Sequence, residues 1–264
     1  MTPITIFLIN LDRSKERLAF MEQQAEKAGF QFERIPAVEG KNVPEWLKSE
    51  FPADGRMSPG QVGCYASHLV FAQTIVAREL PYAIVLEDDA EISPDFVKTA
   101  ARALEKLPPE WDYVHLSSNF KKSVIRVADL DGGYSLVRYS ENPANTAAYI
   151  LSNRGARKWL NPMPRIRPND LDNRFAWQQG LKIYGVYPAP VTQNPQFDSQ
   201  LGRPERRPNW EPHPLTMLRG RLWHINQIGK RSFIAALAMN AVNSARKRLD
   251  GVARIAVIDD SRDR

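Results

Sequence analysis

Cysteine is nearly absent from the 264 residues, with Cys64 standing alone. A single thiol excludes an intrachain disulfide framework and any thiolate-based zinc site, and it fits a reducing compartment. Long apolar runs are missing too, so no segment of the sequence reads as a bilayer-spanning helix. The opening stretch, residues 1–9, has no basic n-region and no small-residue cleavage site. It reads as a first strand and not as a signal peptide, which predicts a cytoplasmic protein. No internal repeat is visible. Hydrophobic residues at 43% and charged residues at 25% exclude wholesale disorder and fibrous architecture.

The excess of positive charge is localised. The whole chain carries +6, but residues 203–264 hold 13 Lys+Arg against 6 Asp+Glu, a net of +7, and residues 1–202 hold 23 against 24, a net of −1. The basicity belongs to the tail, so a nucleic-acid partner for the main body loses its chief support and none is expected. Composition also changes at the basic, proline-rich run Arg203-Pro204-Glu205-Arg206-Arg207-Pro208. The sequence therefore predicts a domain at 1–202 and a basic helical extension at 203–264.

Within the first 202 residues the hydrophobic pattern alternates between strands and helices. Residues 4–9 are apolar and β-branched, as in a buried strand. A helix follows, with Asp12 as its expected N-cap and Gly29 as its stop, and residues 30–35 alternate like a second strand. Ser58-Pro59-Gly60-Gln61 opens another helix: serine caps, proline takes the first position and glutamine completes a capping box. That helix leads into the strand Tyr82-Ala83-Ile84-Val85-Leu86. A helix near 94–107, strands at 113–116, 134–139, 145–151 and 183–186, and a short helix around Ala156 and Leu160 complete the pattern. Such alternation predicts an α/β fold with parallel pairing.

Three acids, Glu87-Asp88-Asp89, sit at the carboxyl end of the apolar strand, where ligands of open α/β sheets bind. Extended geometry puts Glu87 and Asp89 on one side and Asp88 on the other. Oxygen-rich clusters of this kind suit Mg²⁺ or Mn²⁺ bridging a diphosphate. A solvated acidic loop is the competing reading.

Four ordered blocks resemble glycosyltransferase family 25, which includes bacterial lipopolysaccharide galactosyltransferases and collagen galactosyltransferases. They are Phe7-Leu8-Ile9-Asn10-Leu11-Asp12-Arg13-Ser14-Lys15-Glu16-Arg17, Gly63-Cys64-Tyr65-Ala66-Ser67-His68, Ile84-Val85-Leu86-Glu87-Asp88-Asp89-Ala90, and Ala147-Ala148-Tyr149-Ile150-Leu151-Ser152 with Gly155-Ala156. Together they cover about residues 4–200. The resemblance implies a GT-A-like nucleotide-sugar-binding fold with a mixed, mostly parallel sheet. It also implies a UDP-sugar donor, usually UDP-galactose, a divalent metal (Mn²⁺ or Mg²⁺), a saccharide acceptor in lipopolysaccharide or another surface polysaccharide, and inversion at the anomeric carbon. By that analogy Asp89 is the direct metal ligand, with Glu87 beside it. Glu87 and Asp88 bond ribose, metal-bound water or the turn. Arg165-Ile166-Arg167-Pro168-Asn169-Asp170-Leu171-Asp172 resembles the family's Pro-x-Asp segment, which makes Asp170 the expected base and Asp172 its substitute. Helix capping is the alternative role for Asp170.

Asn10, Asp12 and Arg13, at the exit of the first strand, are expected at the donor, whereas Arg17 reads as part of a solvated helix face. His68 either approaches the donor or is a packed histidine, and Cys64 reads as packing. The stretch from Pro188 through Gln193 to Ser199 resembles the family's closing loop, which gives Gln193 and Ser199 as further donor contacts. No histidine occurs there, so a histidine metal ligand would have to be His213. The basic tail has three readings: peripheral attachment to the inner face of the cytoplasmic membrane, which suits a lipid-linked saccharide acceptor; a dimerisation helix; or a lid on its own domain. A non-catalytic sugar-nucleotide or glycan-binding protein on the same fold is the alternative function.

Overall fold

The computed structural model describes residues 4–117, 121–202, 204, 214–250 and 255–259. Its elements in chain order are β1 (Ile6–Asn10), α1 (Lys15–Ala28), β2 (Glu33–Pro36), α2 (Glu45–Lys48), α3 (Pro59–Ala77), β3 (Tyr82–Glu87), β4 (Ala90–Ile92), α4 (Phe96–Lys106), β5 (Tyr113–His115), β6 (Val124–Asp129), β7 (Ser135–Tyr139) and β8 (Ala148–Ser152). They continue with α5 (Asn153–Trp159), α6 (Asn169–Asp172), a 3₁₀ segment (Asn173–Gln179), β9 (Ile183–Tyr187), β10 (Val191–Gln193), α7 (Pro214–Ile228), α8 (Lys230–Asp250) and β11 (Val257–Asp259).

The main sheet has nine strands in the order β11-β6-β7-β9-β5-β8-β3-β1-β2. It is mixed: β1 runs parallel to β2 and β3, whereas β8 runs antiparallel to β3 and β5. Strand periodicity divides the apolar side chains between the two faces. Phe7, Ile9 and Val85 join Tyr65, Leu69, Phe71, Tyr149 and Trp159 on the α3 and α5 side. Ile6, Leu8, Ile84 and Leu86 join Met21, Phe96 and Ala100 on the α1 and α4 side. The result is a helix–sheet–helix α/β sandwich with every residue of β1 buried.

The capping box at the start of α3 forms as the sequence predicts: Gln61 N–H donates to Ser58 Oγ at 3.1 Å and Ser58 N–H donates to Gln61 Oε1 at 2.9 Å. At α1 the outcome differs. The N-cap is Ser14, two residues later than expected, and the Asp12 carboxylate pairs with Arg34 of β2. Four short strands have no counterpart in the sequence reading: β4, β6, β10 and β11.

The segment beyond 203 contributes more than helices. Phe233 and Ala236 of α8 pack with Ile228 of α7 on Ile125 of β6, and β11 pairs in parallel with β6 at the edge of the sheet.

Candidate functional site

Strands β1 and β3 lie side by side and both end at the same edge, with Asn10 closing β1 and Glu87 closing β3. Above these ends is a cavity of 620 Å³, walled by the loop at Val38–Lys41, the first turns of α3, the acidic turn and the segment from Gln193 to Leu201. Two glycines let the walls close. A Cβ on Gly63 would stand 2.4 Å from the Val38 carbonyl oxygen, and one on Gly60 would stand 2.4 Å from that of Leu201.

The three acids have three different environments. Glu87 is held in a buried polar chain: His68 Nε2 lies 3.0 Å from Glu87 Oε1, Thr146 Oγ1 donates to the same oxygen at 2.7 Å, and His68 Nδ1 lies 2.7 Å from the Tyr149 hydroxyl. A carboxylate only accepts, so Nε2 carries a proton, and Nδ1 bonds the Tyr149 hydroxyl, whose own pKa burial raises far above normal. Burial pushes the Glu87 carboxyl up, but the His68 and Thr146 hydrogen bonds and the nearby cations outweigh it, and the net shift is downward. Glu87 is therefore an anion at neutral pH.

Asp88 has both oxygens engaged, by Arg17 Nη1 at 2.7 Å and by Asn10 Nδ2 at 2.8 Å. Asn10 is in turn fixed by Arg34, whose Nε donates to Asn10 Oδ1 at 3.0 Å. This overturns the reading of Arg17 as a solvated residue. It is buried at 8% exposure, bonds the Asp198 carbonyl at 2.6 Å and lies 4.9 Å from the centre of the Phe197 ring. One helical turn of α1 aims it back at β3, which sequence spacing does not reveal.

Asp89 is the uncompensated one. Its Oδ1 is buried and has no hydrogen-bond partner among the described residues, and Arg17 Nη1 stands 3.9 Å from its Oδ2. Burial, reinforced by the Glu87 and Asp88 charges, lifts its carboxyl to about 6. A carboxylate that lines a cavity and keeps one oxygen without a donor fits a hard divalent cation. Cys64, His68 and Glu87 also bring ligand atoms within 4.8 Å of one another. That group is a poor match for a hard cation: the nitrogens of His68 are engaged, and burial, then the charges of Glu87 and Asp170, pushes the Cys64 thiol well above its normal range. His213 lies outside the described residues.

Of the residues expected at the donor, Asn10, Arg13, His68, Glu87, Asp88, Gln193 and Ser199 all line the cavity, together with Asp89. Arg13 pairs with Glu39 across its mouth. Gln193 Oε1 accepts from Asn145 at 3.4 Å, and Ser199 Oγ accepts from the Leu201 N–H at 3.4 Å. Asp12 stands apart from the lining, on the solvent side of Arg34. The two expected bases separate. Asp172 is buried and saturated, accepting from the Tyr65 hydroxyl at 2.8 Å and from Arg167 Nε at 2.6 Å. Asp170 is partly exposed on α6, near enough for Glu87 to repel it. Burial first, and then that charge, raises its pKa, while its Oδ1 accepts from Leu171 N–H at 2.8 Å. It stands off the cavity lining. Thr146, Lys41 and Gln200 have no separate signal in the sequence; the fold alone carries Thr146 to Glu87 and the other two into the lining.

The family model described as glycosyltransferase family 25 (LPS biosynthesis protein) matches residues 3–172. A Drosophila pseudoobscura pseudoobscura protein named glycosyltransferase 25 family member is 33% identical over 186 residues, covering 62% of this chain and 28% of its own length. Procollagen galactosyltransferase 1-A of Xenopus laevis is 28% identical over 181 residues, covering 63% of this chain and 30% of its own. Inactive glycosyltransferase 25 family member 3 of Mus musculus is 27% identical over 214 residues, covering 69% and 36%. The chain thus spans about a third of the length of these curated relatives. Among solved structures, a glycosyltransferase involved in the glycosylation of the major capsid of PBCV-1 aligns with a TM-score of 0.40 at 12% identity, covering 74% of this chain and 94% of that one. With the family model matched over more than half of the residues, and with the acidic turn inside the match, the chain belongs to glycosyltransferase family 25.

Proposed function

We propose that the cavity binds a UDP-sugar and that the protein transfers its hexose, galactose by analogy with the Xenopus relative, to a hydroxyl of a saccharide acceptor in a surface polysaccharide such as lipopolysaccharide. The observation that carries this reading is Asp89, which lines a 620 Å³ cavity at the carboxyl ends of β1 and β3 and whose buried Oδ1 has no hydrogen-bond partner among the described residues. Asp89, with Glu87 behind it, would hold Mn²⁺ or Mg²⁺, which supplies positive charge to the departing diphosphate. Asn10, Arg17 and His68 keep the acidic turn rigid, and Arg13, Gln193 and Ser199 offer polar groups to the nucleotide and sugar.

In the transfer, the acceptor oxygen bonds to the anomeric carbon as the bond from that carbon to the diphosphate oxygen breaks, with inversion. The proton of the acceptor hydroxyl goes to Asp170, whose raised pKa makes it a stronger base than an ordinary carboxylate. A second reading, donor binding without transfer, draws on the position of Asp170 outside the cavity lining.

Calorimetric titration of UDP, UDP-galactose, UDP-glucose and UDP-N-acetylglucosamine, each with and without Mn²⁺, tests the site. Mn²⁺-dependent binding of one sugar above the others is expected. Absence of binding by folded protein would sink the proposal. Binding without turnover on a supplied saccharide acceptor would select the second reading.

A further inference from the structure

Eight of the ten large hydrophobic side chains that are exposed among the described residues lie on α7 and α8. They are not scattered. Each helix already buries one side: Gly220, His224 and Ile228 of α7, and Ser232, Phe233, Ala236 and Asn243 of α8. Gly220 brings α7 against Trp177, where an added Cβ would stand 3.0 Å from the indole nitrogen. Each helix then carries a second apolar stripe facing away from the domain. On α7 it is Leu215, Leu218 and Leu222, at spacings of three and four; on α8 it is Ile234, Leu237 and Val242, with Ala238, Ala241 and Ala245 filling the same side. Helical periodicity places these residues together, opposite the packed positions. The fold uses the inner stripes and leaves the outer ones in contact with water.

The charge on the two helices is overwhelmingly positive. Helices α7 and α8 contain seven Lys or Arg and a single acid, Asp250 at the last position of α8. Arg219, Arg221, Lys230, Arg231 and Lys247 are exposed. A second copy of the chain seated on this face would bring the same cations against these, without a counter-charge. Neither helix is long and apolar enough to cross a membrane. Exposed leucine and isoleucine rimmed by cations fit a surface that offers hydrocarbon beneath a layer of anionic headgroups.

We infer that the outer face of α7 and α8 docks on an anionic lipid bilayer, lying in its interface, with Leu218, Leu222, Ile234 and Leu237 inserted and the arginines and lysines at the headgroups. This inference stands on the two helices alone and is independent of the reading of the cavity.

The test is co-sedimentation of the full chain with vesicles of phosphatidylcholine, and with vesicles of phosphatidylcholine mixed with phosphatidylglycerol, together with light scattering of the free protein. Binding to the mixed vesicles and not to phosphatidylcholine alone is expected. Arg219→Glu with Arg221→Glu lowers the partition about tenfold or more, since each cation near the surface contributes to it. Leu222→Ser with Leu237→Ser lowers it to a similar extent with an unchanged circular dichroism spectrum. The charge pair keeps the test decisive if the serine pair does not fold. Failure of the parent chain to bind anionic vesicles overturns the inference, as does undiminished binding by the charge variant. A stable dimer that the serine pair turns into monomer, without vesicle binding, also overturns it.

Discussion

His68 and Glu87 form the joint between α3 and the acidic turn: Nε2 of the first lies 3.0 Å from Oε1 of the second, with Tyr149 behind the histidine at 2.7 Å. Replacing His68 by Phe removes the donor from a half-buried carboxylate and leaves the Tyr149 hydroxyl without its ring-nitrogen partner. The expected cost is about 2–4 kcal/mol of stability. His68→Gln, which keeps a donor, costs less. Urea unfolding of both variants reads the difference, and equal losses would show that ring packing, not the hydrogen bond, matters.

Arg17 links the Asp88 carboxylate to the Asp198 carbonyl. Arg17→Ala leaves Asp88 buried beside only Asn10 and frees the segment that walls the cavity. A stability loss of about 2–3 kcal/mol is expected, along with weaker nucleotide binding. Arg17→Lys keeps the charge but cannot span both partners, so it retains part of the stability and little of the binding. Calorimetry on the folded variants checks this.

Asp89 bears a functional strain with a definite sign. Its folded pKa of about 6 exceeds the usual 3.8, so its contribution is favourable below the unfolded value and is lost as pH rises through 6. At pH 7 without metal, Asp89→Asn is expected to be more stable than the parent by about 1–3 kcal/mol, an advantage that vanishes below pH 4. The same variant gains nothing from Mn²⁺, whereas the parent is stabilised by it. Thermal unfolding at both pH values, with and without Mn²⁺, distinguishes the two.

Asp170 and Asp172 are two residues apart in sequence, yet they predict opposite phenotypes. Asp172→Asn weakens the Tyr65 and Arg167 bonds and lowers stability by about 1–3 kcal/mol, with donor binding intact. Asp170→Asn leaves stability and donor binding near the parent values and abolishes transfer. Wild-type turnover by Asp170→Asn would remove it as the base.

His115 sits within β5 with neither ring nitrogen bonded among the described residues, and burial depresses its pKa to about 3. Burial likewise depresses His224 to about 4. Both groups contribute stability above the unfolded pKa of 6.5 that is lost as pH falls toward their folded values. Between pH 7 and pH 5 each is expected to remove about 2 kcal/mol. His115→Phe abolishes its share, so the parent and variant unfolding midpoints diverge on acidification.

The local pattern of this sequence already determined much of the fold. The apolar run of β1, the capping box of α3 and the strand ending in Glu87 each follow from short-range spacing, and the family blocks marked the cavity residues at Asn10, His68, Glu87, Asp88 and Asp89. Beyond that, distance along the chain carries no information. Which acid is neutralised depends on cations and donors that arrive from elsewhere: Arg17 comes 71 residues before Asp88, and Thr146 comes 59 after Glu87. Residue type and spacing do not show those partners; with them, Glu87 and Asp88 are satisfied and Asp89 Oδ1 alone of the three acids' oxygens is buried without a partner among the described residues. The three-residue strands β4, β10 and β11 had no counterpart in the sequence reading, since they are defined by partners distant in the chain: β4 and β10 pair with each other, and β11 pairs with β6. The sequence could place basic and apolar residues in one tail. Only packing, by burying one stripe of α7 and α8, decided which stripe remained outside.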